Sequence, residues 1–154
     1  MDNRRAAKTV FAIASLIEQQ GGNPYRVRAY RRAALNLLRL PQDAAGFATE
    51  QGELALPWLG PRLRRKLGEL VTSGQMAFYD QLLDDFPEAF RDLLSVPGIG
   101  PKTAERLVSE LQIASLADLA AAARGGRLRA LRGMGEVRER HLGEAAESLL
   151  AASA

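Results

Sequence analysis

The 154-residue sequence contains no cysteine, one histidine and one tryptophan, and only 6% of its residues are aromatic. The absence of cysteine excludes disulfides, cysteine-ligated zinc, iron–sulfur clusters and a thiol nucleophile, and a lone histidine excludes a multi-histidine metal site. No apolar run approaches the roughly 18 residues needed to span a bilayer, so no membrane partner is expected. The first residues lack a clean signal-peptide core and are typical of a helix, which predicts a cytoplasmic location.

What is present is an ordinary globular composition, with 47% hydrophobic and 25% charged residues. Apolar residues recur at helical spacing, and strand-like alternation is absent, so the sequence predicts an all-α fold with multiple short helices. In the helix expected over 25–39, the inward residues are predicted to be Tyr30, Ala33, Ala34, Leu37 and Leu38. The first helix is expected to end at Gly21-Gly22, and the others to cover 25–39, 43–51, 61–73, 76–84, 87–94, 101–111, 115–123 and 136–151.

The positive charge is concentrated in the first half of the chain. The net charge is +3, but residues 1–74 hold 12 basic and 6 acidic side chains, whereas residues 75–154 hold 9 and 12. A concentrated basic face is typical of a protein that binds a polyanion, and it also occurs on ordinary solvated helices. The basic residues form two clusters, Arg26, Arg28, Arg31 and Arg32, then Arg62, Arg64, Arg65 and Lys66.

A five-residue pattern occurs three times, as Leu56–Gly60, Val96–Gly100 and Leu131–Gly135. Each copy has an apolar residue, then two positions later a glycine (Trp58 in the first copy), then another apolar residue and a final glycine before a helix. Because glycine tolerates a positive φ, the pattern predicts a tight turn whose middle apolar side chain is buried. The following helix begins with unpaired amides at the positive end of its dipole, which suits a phosphate oxygen.

These repeats resemble the helix-hairpin-helix family. The stretch Val96-Pro97-Gly98-Ile99-Gly100-Pro101-Lys102-Thr103-Ala104 lies close to the family consensus, and Leu131–Gly135 matches it well. The first copy departs from the consensus at Trp58, which either fills a gap in the core or stacks on a base or sugar. The resemblance implies phosphate binding, and the alternative is that the hairpins only join helices.

A longer stretch, from about residue 4 to residue 150, resembles the N-terminal region of family-X DNA polymerases. The residues that carry this resemblance are Asn23-Pro24-Tyr25-Arg26-Val27-Arg28-Ala29-Tyr30-Arg31-Arg32-Ala33-Ala34, the first hairpin with its helix, and Val96 to Ala104. It implies two small lobes with tandem helix-hairpin-helix motifs, a helical lobe over 1–80 and a second lobe over 81–154. In the family, these lobes grip gapped or nicked DNA. No paired-aspartate metal motif is present, so no nucleotidyl transfer is expected.

The same resemblance implies a second activity for the first lobe, because this lobe is also a lyase in some family members. The family's nucleophilic lysine falls on Lys66, and its phosphate-pocket positions fall on Arg26, Tyr30 and Arg62. Phe78 stands where the family has a further pocket lysine, and Tyr25 stands where it has a histidine. Those two differences weaken the predicted pocket for a 5′-phosphate.

The leading hypothesis is a sequence-independent DNA-binding protein that favours nicked, gapped or branched DNA in repair, associated with the nucleoid if bacterial. The alternatives are an abasic-site lyase acting through Lys66, and an adaptor whose acidic half meets a basic partner such as a repair protein. No cofactor or metal is required, and a monovalent cation fits at a hairpin. His141 either touches a phosphate or is an ordinary surface or packing residue. The predicted DNA-binding residues are Arg26, Tyr30, Arg31, Gly60, Arg62, Arg65, Gly98, Gly100, Lys102, Thr103, Gly133 and Gly135.

Overall fold

A computed structural model describes residues 1–153 and confirms the all-α fold. The chain divides into two compact units, unit 1 (Met1–Asp85) and unit 2 (from Phe86 onward). The boundary predicted between residues 80 and 81 falls inside the fourth helix. The helices in the described range are α1 (Asn3–Gln19), α2 (Pro24–Arg39), α3 (Pro61–Ser73), α4 (Ala77–Asp84), α5 (Glu88–Leu94), α6 (Pro101–Leu111), α7 (Leu116–Arg124) and α8 (Glu136–Ser153).

Unit 1 is built on the packing of α1 against α2. The Asp2 side chain accepts a hydrogen bond from the Arg5 amide at 2.8 Å, and Asn23 accepts one from the Tyr25 amide at 2.9 Å, so both helices begin at capped ends. Gly21 takes a φ of 70° and ends α1 as predicted. The largest fully buried side chains of this unit are Tyr30, Ile13, Leu16, Leu37, Leu54, Leu67, Leu70 and Met76.

The prediction that Leu38 of α2 faces inward is wrong. Leu38 is 49% exposed, whereas Tyr30, Ala33, Ala34 and Leu37 are buried. Successive residues of a helix are separated by about 100°, so Leu38 lies beyond the edge of the stripe that faces α1.

The helix predicted over residues 43–51 is also wrong. A single 3₁₀ turn covers Ala44–Phe47, and an isolated antiparallel bridge then pairs Ala48 with Leu54. The Thr49 amide donates to the Glu53 carbonyl at 2.7 Å, so these backbone groups are satisfied across a turn and not along a helix. The turn passes so close to α3 that a side chain at Gly68 would meet the Gly52 carbonyl.

Unit 2 contains the last four helices, in which α7 packs against α8. A Cβ at Gly143 of α8 would lie 2.6 Å from the Cβ of Ala123, so glycine permits this close packing. The largest fully buried side chains of this unit are Leu93, Leu107, Ile113 and Leu119. Within residues 1–153, no helix combines the length and apolar character needed to cross a membrane.

Candidate nucleic-acid interface

The three repeated segments fold into turns closed by the same hydrogen bond. The amide of the fourth residue donates to the carbonyl of the first, at 3.1 Å in Leu56–Gly60, 3.0 Å in Val96–Gly100 and 3.1 Å in Leu131–Gly135. The apolar residue between the glycine positions, Leu59, Ile99 or Met134, is buried in each copy. The burial of this side chain anchors each turn to the core, as the sequence predicts.

The turns differ at their third residue. Gly98 and Gly133 have φ angles of 93° and 84°, in the left-handed region that favours glycine. Trp58 has no positive φ, so the first turn closes without a left-handed residue, and its half-buried side chain is accommodated. The departure of the first copy from the consensus is therefore a difference in backbone conformation as well as in residue type.

Each turn leads directly into a helix. The carbonyls of Gly60, Gly100 and Gly135 accept hydrogen bonds from the amides four residues later, at 3.0, 2.9 and 3.0 Å. Glycine provides no capping side chain, so the first-turn amides of α3 and α6 have no side-chain acceptor on the residue that precedes the helix. Arg62 and Lys102 are exposed at the second position of these helices, where their positive charge adds to that of the N-terminal end of the helix dipole.

Comparison with known families agrees with this geometry. Residues 1–76 match the model of a helix-hairpin-helix domain, and residues 90–148 match that of a SAM-like helix-hairpin-helix tandem. The chain is a helix-hairpin-helix protein. The two matches fall in units 1 and 2, respectively, so one hairpin belongs to the first unit and two belong to the second.

Two curated relatives contain similar segments. The chain is 27% identical over 139 residues to the DNA polymerase/3′-5′ exonuclease PolX of Bacillus subtilis, a match that covers 90% of the chain and 24% of that protein. It is 32% identical over 81 residues to the Holliday junction branch migration complex subunit RuvA of Albidiferax ferrireducens, covering 53% of the chain and 43% of that protein. The predicted resemblance to family-X polymerase lobes is thus confirmed, although the chain spans less than half of either relative.

In unit 2, one arginine connects the two helix-hairpin-helix motifs. The Arg138 guanidinium donates through Nη2 to the Gly98 carbonyl and to the Thr103 hydroxyl, both at 3.3 Å. Arg138 lies three residues after Gly135, and Thr103 lies three residues after Gly100, so the contact joins equivalent positions of the two motifs. Arg138 is not among the residues predicted from the sequence, and its equivalence with Thr103 within the repeat is the signal that identifies it.

In unit 1, basic side chains from two helices converge on an aromatic ring from a third. Lys66 Nζ lies 4.0 Å and Arg26 Cζ lies 4.8 Å from the centre of the Phe78 ring. The Tyr30 ring stacks against Phe78 with its centre 6.1 Å away. We call these four residues the Phe78 cluster. Cations are attracted to the face of an aromatic ring, so Phe78 orients charges at the place where the family has a lysine.

The surroundings of Lys66 disfavour its charged form. Burial lowers the pKa of the Lys66 ammonium from its usual 10.5, and the charges of Arg26, Arg62 and Arg65 lower it further. Arg64, in the same basic run, donates through Nε to the Leu59 carbonyl at 3.0 Å and supports the hairpin. Within residues 1–153, none of the four cations Arg26, Arg62, Arg65 and Lys66 forms a salt bridge.

The other predicted site residues are dispersed. Arg31 pairs with Glu18 at 2.9 Å, so part of its charge is already compensated. Gly60, Gly98, Gly133 and Gly135 are exposed and Gly100 is half-buried, so a strand can approach their backbone. His141 is exposed on α8. The structure therefore brings together Arg26, Tyr30 and Lys66 in unit 1, and Gly98, Thr103 and the second hairpin helix in unit 2.

Proposed function

We propose that this chain binds DNA through its phosphates without reading base sequence. The observation that carries the proposal is the threefold recurrence of one hairpin whose middle apolar residue is buried and whose glycines are exposed, except for the half-buried Gly100. Exposed amides at a helix start bind phosphate oxygens, and the missing side chains at the glycines allow a close approach. Contacts of this kind position a protein on DNA and carry no sequence information.

The cations of the Phe78 cluster, together with Arg62 and Arg65 of α3, support a preference for nicked or gapped DNA. Four unpaired cations, Arg26, Arg62, Arg65 and Lys66, are close enough for the three arginines to lower the pKa of Lys66. An anion placed among them relieves this mutual repulsion, and a terminal 5′-phosphate carries more charge than a phosphodiester. The names of both relatives refer to DNA polymerisation or to a DNA junction, which agrees with a DNA ligand of interrupted or branched form.

A binding titration over several salt concentrations tests the proposal. Intact, nicked and 5′-phosphorylated gapped duplexes of the same sequence are compared, with a second sequence as a control for base readout. We expect log–log slopes of about −0.9 for each phosphate neutralised, equal affinity for the two sequences, and tightest binding to the gapped duplex. A flat salt response, or no binding at low salt, contradicts DNA binding, and equal affinity for all three duplexes contradicts the preference.

The position of Lys66 favours a second candidate function, an abasic-site lyase. A neutral amine attacks the C1′ aldehyde of an abasic deoxyribose and, with uptake of one proton and loss of water, forms an iminium ion. Transfer of a C2′ proton to a solvent water then breaks the C3′–O bond and expels the 3′-phosphate, and hydrolysis of the iminium frees the lysine. The lowered pKa of Lys66 increases the fraction of neutral amine that this first step requires.

Borohydride trapping on a gapped duplex with a 5′ abasic sugar tests the lyase. We expect a covalent adduct that is lost in Lys66→Ala and retained in the matched variant Lys8→Ala, which removes an exposed lysine of α1 from the same unit. No adduct, or an adduct that persists in Lys66→Ala, contradicts this function and leaves the DNA-binding proposal in place.

A further inference from the structure

We propose that Arg138 makes the two hairpins of unit 2 a single phosphate-binding surface and itself contacts a phosphate. The inference rests on the proposed function and adds a residue that the hairpin pattern does not specify. Its basis is the position of the Arg138 guanidinium, on the third hairpin helix α8 and within 3.3 Å of two acceptors on the second hairpin.

The second hairpin presents hydrogen-bond acceptors as well as amides. The Gly98 carbonyl and the Thr103 hydroxyl oxygen present partial negative charge beside the start of α6, which opposes an approaching phosphate. Arg138 donates to both oxygens and so compensates this charge. Because the Thr103 oxygen accepts from Arg138, its own O–H is left to donate outward. The part of the hairpin that presents oxygen acceptors thereby presents N–H and O–H donors to a phosphate.

Arg138 has hydrogen-bond donors that its two contacts leave free. A guanidinium has five N–H donors, and the two contacts use only those of Nη2. Elsewhere in unit 2, Arg106 forms an ion pair with Glu110, Arg124 with Glu147 and Arg129 with Glu139. Arg138, in contrast, contacts only neutral oxygens within the described chain, so its full charge and its remaining donors are available to an anion.

Arg138 lies where the two hairpin helices of unit 2 begin. Thr103 and Arg138 occupy the same position in the two motifs, so the hydrogen bond between them places the starts of α6 and α8 beside each other. One guanidinium therefore lies next to both helix starts, and a phosphate bound there is held by groups from both hairpins. Such a phosphate receives charge-assisted hydrogen bonds, which are stronger than those from the backbone amides alone.

The experiment measures DNA binding by the full chain as a function of salt, using an intact duplex without terminal phosphates so that the Phe78 cluster has no 5′-phosphate to bind. For Arg138→Ala we expect affinity about fivefold lower at 0.1 M salt and a log–log slope smaller by about 0.9, the value for one phosphate contact. Arg138→Lys is expected to keep the slope and to recover only part of the affinity, since lysine lacks the planar fork.

Two further variants separate contact from general effects. Arg140→Ala removes the same charge two residues along α8, where Arg140 lines a cavity with Glu136, Glu139 and Glu144, and it is expected to leave the slope unchanged. Thr103→Val removes one acceptor of Arg138 but no charge, so we expect about twofold weaker binding with the wild-type slope.

The outcomes distinguish this inference from the proposed function. If the wild-type chain does not bind the duplex at low salt, the proposed function fails. If the wild type binds and the slope of Arg138→Ala is unchanged, or if Arg140→Ala lowers the slope equally, the inference alone is overturned. Circular dichroism melting checks that each variant is folded; if Arg138→Ala is not, a slope in Arg138→Lys below that of the wild type overturns the inference.

Discussion

The two units use the same hairpin but obtain positive charge in different ways. Unit 1 holds 12 basic and 9 acidic residues, whereas unit 2 holds 9 of each. Among residues 1–153, four cations from α2 and α3 of unit 1 form no ion pair and are close to one another, and two of them lie over the Phe78 ring. In the described part of unit 2, Arg106, Arg124 and Arg129 pair with glutamates, whereas Lys102 and Arg138 form no ion pair at the hairpins. Net charge is therefore a poor guide to where an anion binds, because the local pairing of charges decides it.

The units also differ in the backbone that forms the hairpins. Unit 2 requires a left-handed residue in both of its turns, at Gly98 and Gly133. Unit 1 does not, and its glycine requirement lies instead at Gly68, where α3 packs on the turn at Gly52. Glycine is thus needed for the turn conformation only in unit 2, whereas it permits close helix packing in both units, at Gly68 and at Gly143.

The largest expected effect is on unit 1. Gly68→Ala places a methyl group against the Gly52 carbonyl, and backbone at both sites must move. We expect a loss of about 3 kcal/mol in the free energy of unfolding, at the upper end of the range for overpacking. Urea unfolding followed by the fluorescence of Trp58, the one tryptophan of the sequence, reports on this unit. Gly60→Ala, which has open space and an ordinary φ, is the control; equal stability of the two variants contradicts the packing argument.

A smaller effect is expected in unit 2. Gly98→Ala forces a residue with a Cβ into a φ of 93°, which costs about 1–2 kcal/mol. Gly100→Ala is the matched variant, because its φ is −98° and no atom lies within 4 Å of the added methyl. Thermal melting is expected to show Gly98→Ala as clearly the less stable of the two. Similar melting temperatures would mean that the left-handed turn does not stabilise unit 2.

The difference in charge pairing predicts a difference in DNA binding. Arg62→Ala removes a cation beside Lys66, so we expect about 1 kcal/mol weaker binding to a 5′-phosphorylated gapped duplex and a lesser loss on intact duplex. Lys102→Ala is expected to weaken both by the same factor, because the second hairpin has no such cluster. Competition binding measures, for each variant, the ratio of wild-type to variant affinity on the gapped and on the intact duplex. Equal ratios on the two duplexes for Arg62→Ala contradict the assigned difference.

The smallest effect concerns the protonation of Lys66. Its pKa is lowered in the folded state, so the unfolded chain binds more protons between the folded pKa and the usual 10.5. Lys66→Met is therefore expected to be more stable than the wild type at neutral pH, with the gain disappearing as the pH rises through this window. In parallel, Arg26→Ala is expected to raise the pKa of Lys66, measured by NMR titration of the lysine side chain. A gain in stability that does not depend on pH contradicts this electrostatic account.

Much of the helical pattern was predictable because glycine, proline and capping residues act locally. The helix expected over 61–73 is α3, and the one expected over 101–111 is α6, with the same bounds in each case. The prediction of a helix over 43–51 was wrong because this segment pairs its backbone across a turn. The Leu54 amide, at the end of that turn, donates to the Arg64 carbonyl of α3 at 2.8 Å. A hydrogen bond between segments this far apart leaves no periodic signal in the sequence.

The roles of individual cations were less predictable. Arg64 and Lys66 belong to one basic run, yet Arg64 supports the hairpin and Lys66 lies over Phe78. Successive side chains of a helix point in different directions, so residues that are close in sequence have different neighbours. Phe78 was identified only as the loss of a lysine, since a ring's contacts with Arg26 and Lys66 depend on the packing of three helices.

The sequence by itself determined the class of fold, the three hairpins and the uneven distribution of charge, because these depend on residue type and on spacing along the chain. Only the tertiary structure decided which cations remain unpaired and which hairpins share a residue. The bond from Arg138 to Thr103 joins residues 35 positions apart, and the Phe78 cluster joins three helices. Such contacts depend on the distance between side chains in space, which residue order does not specify.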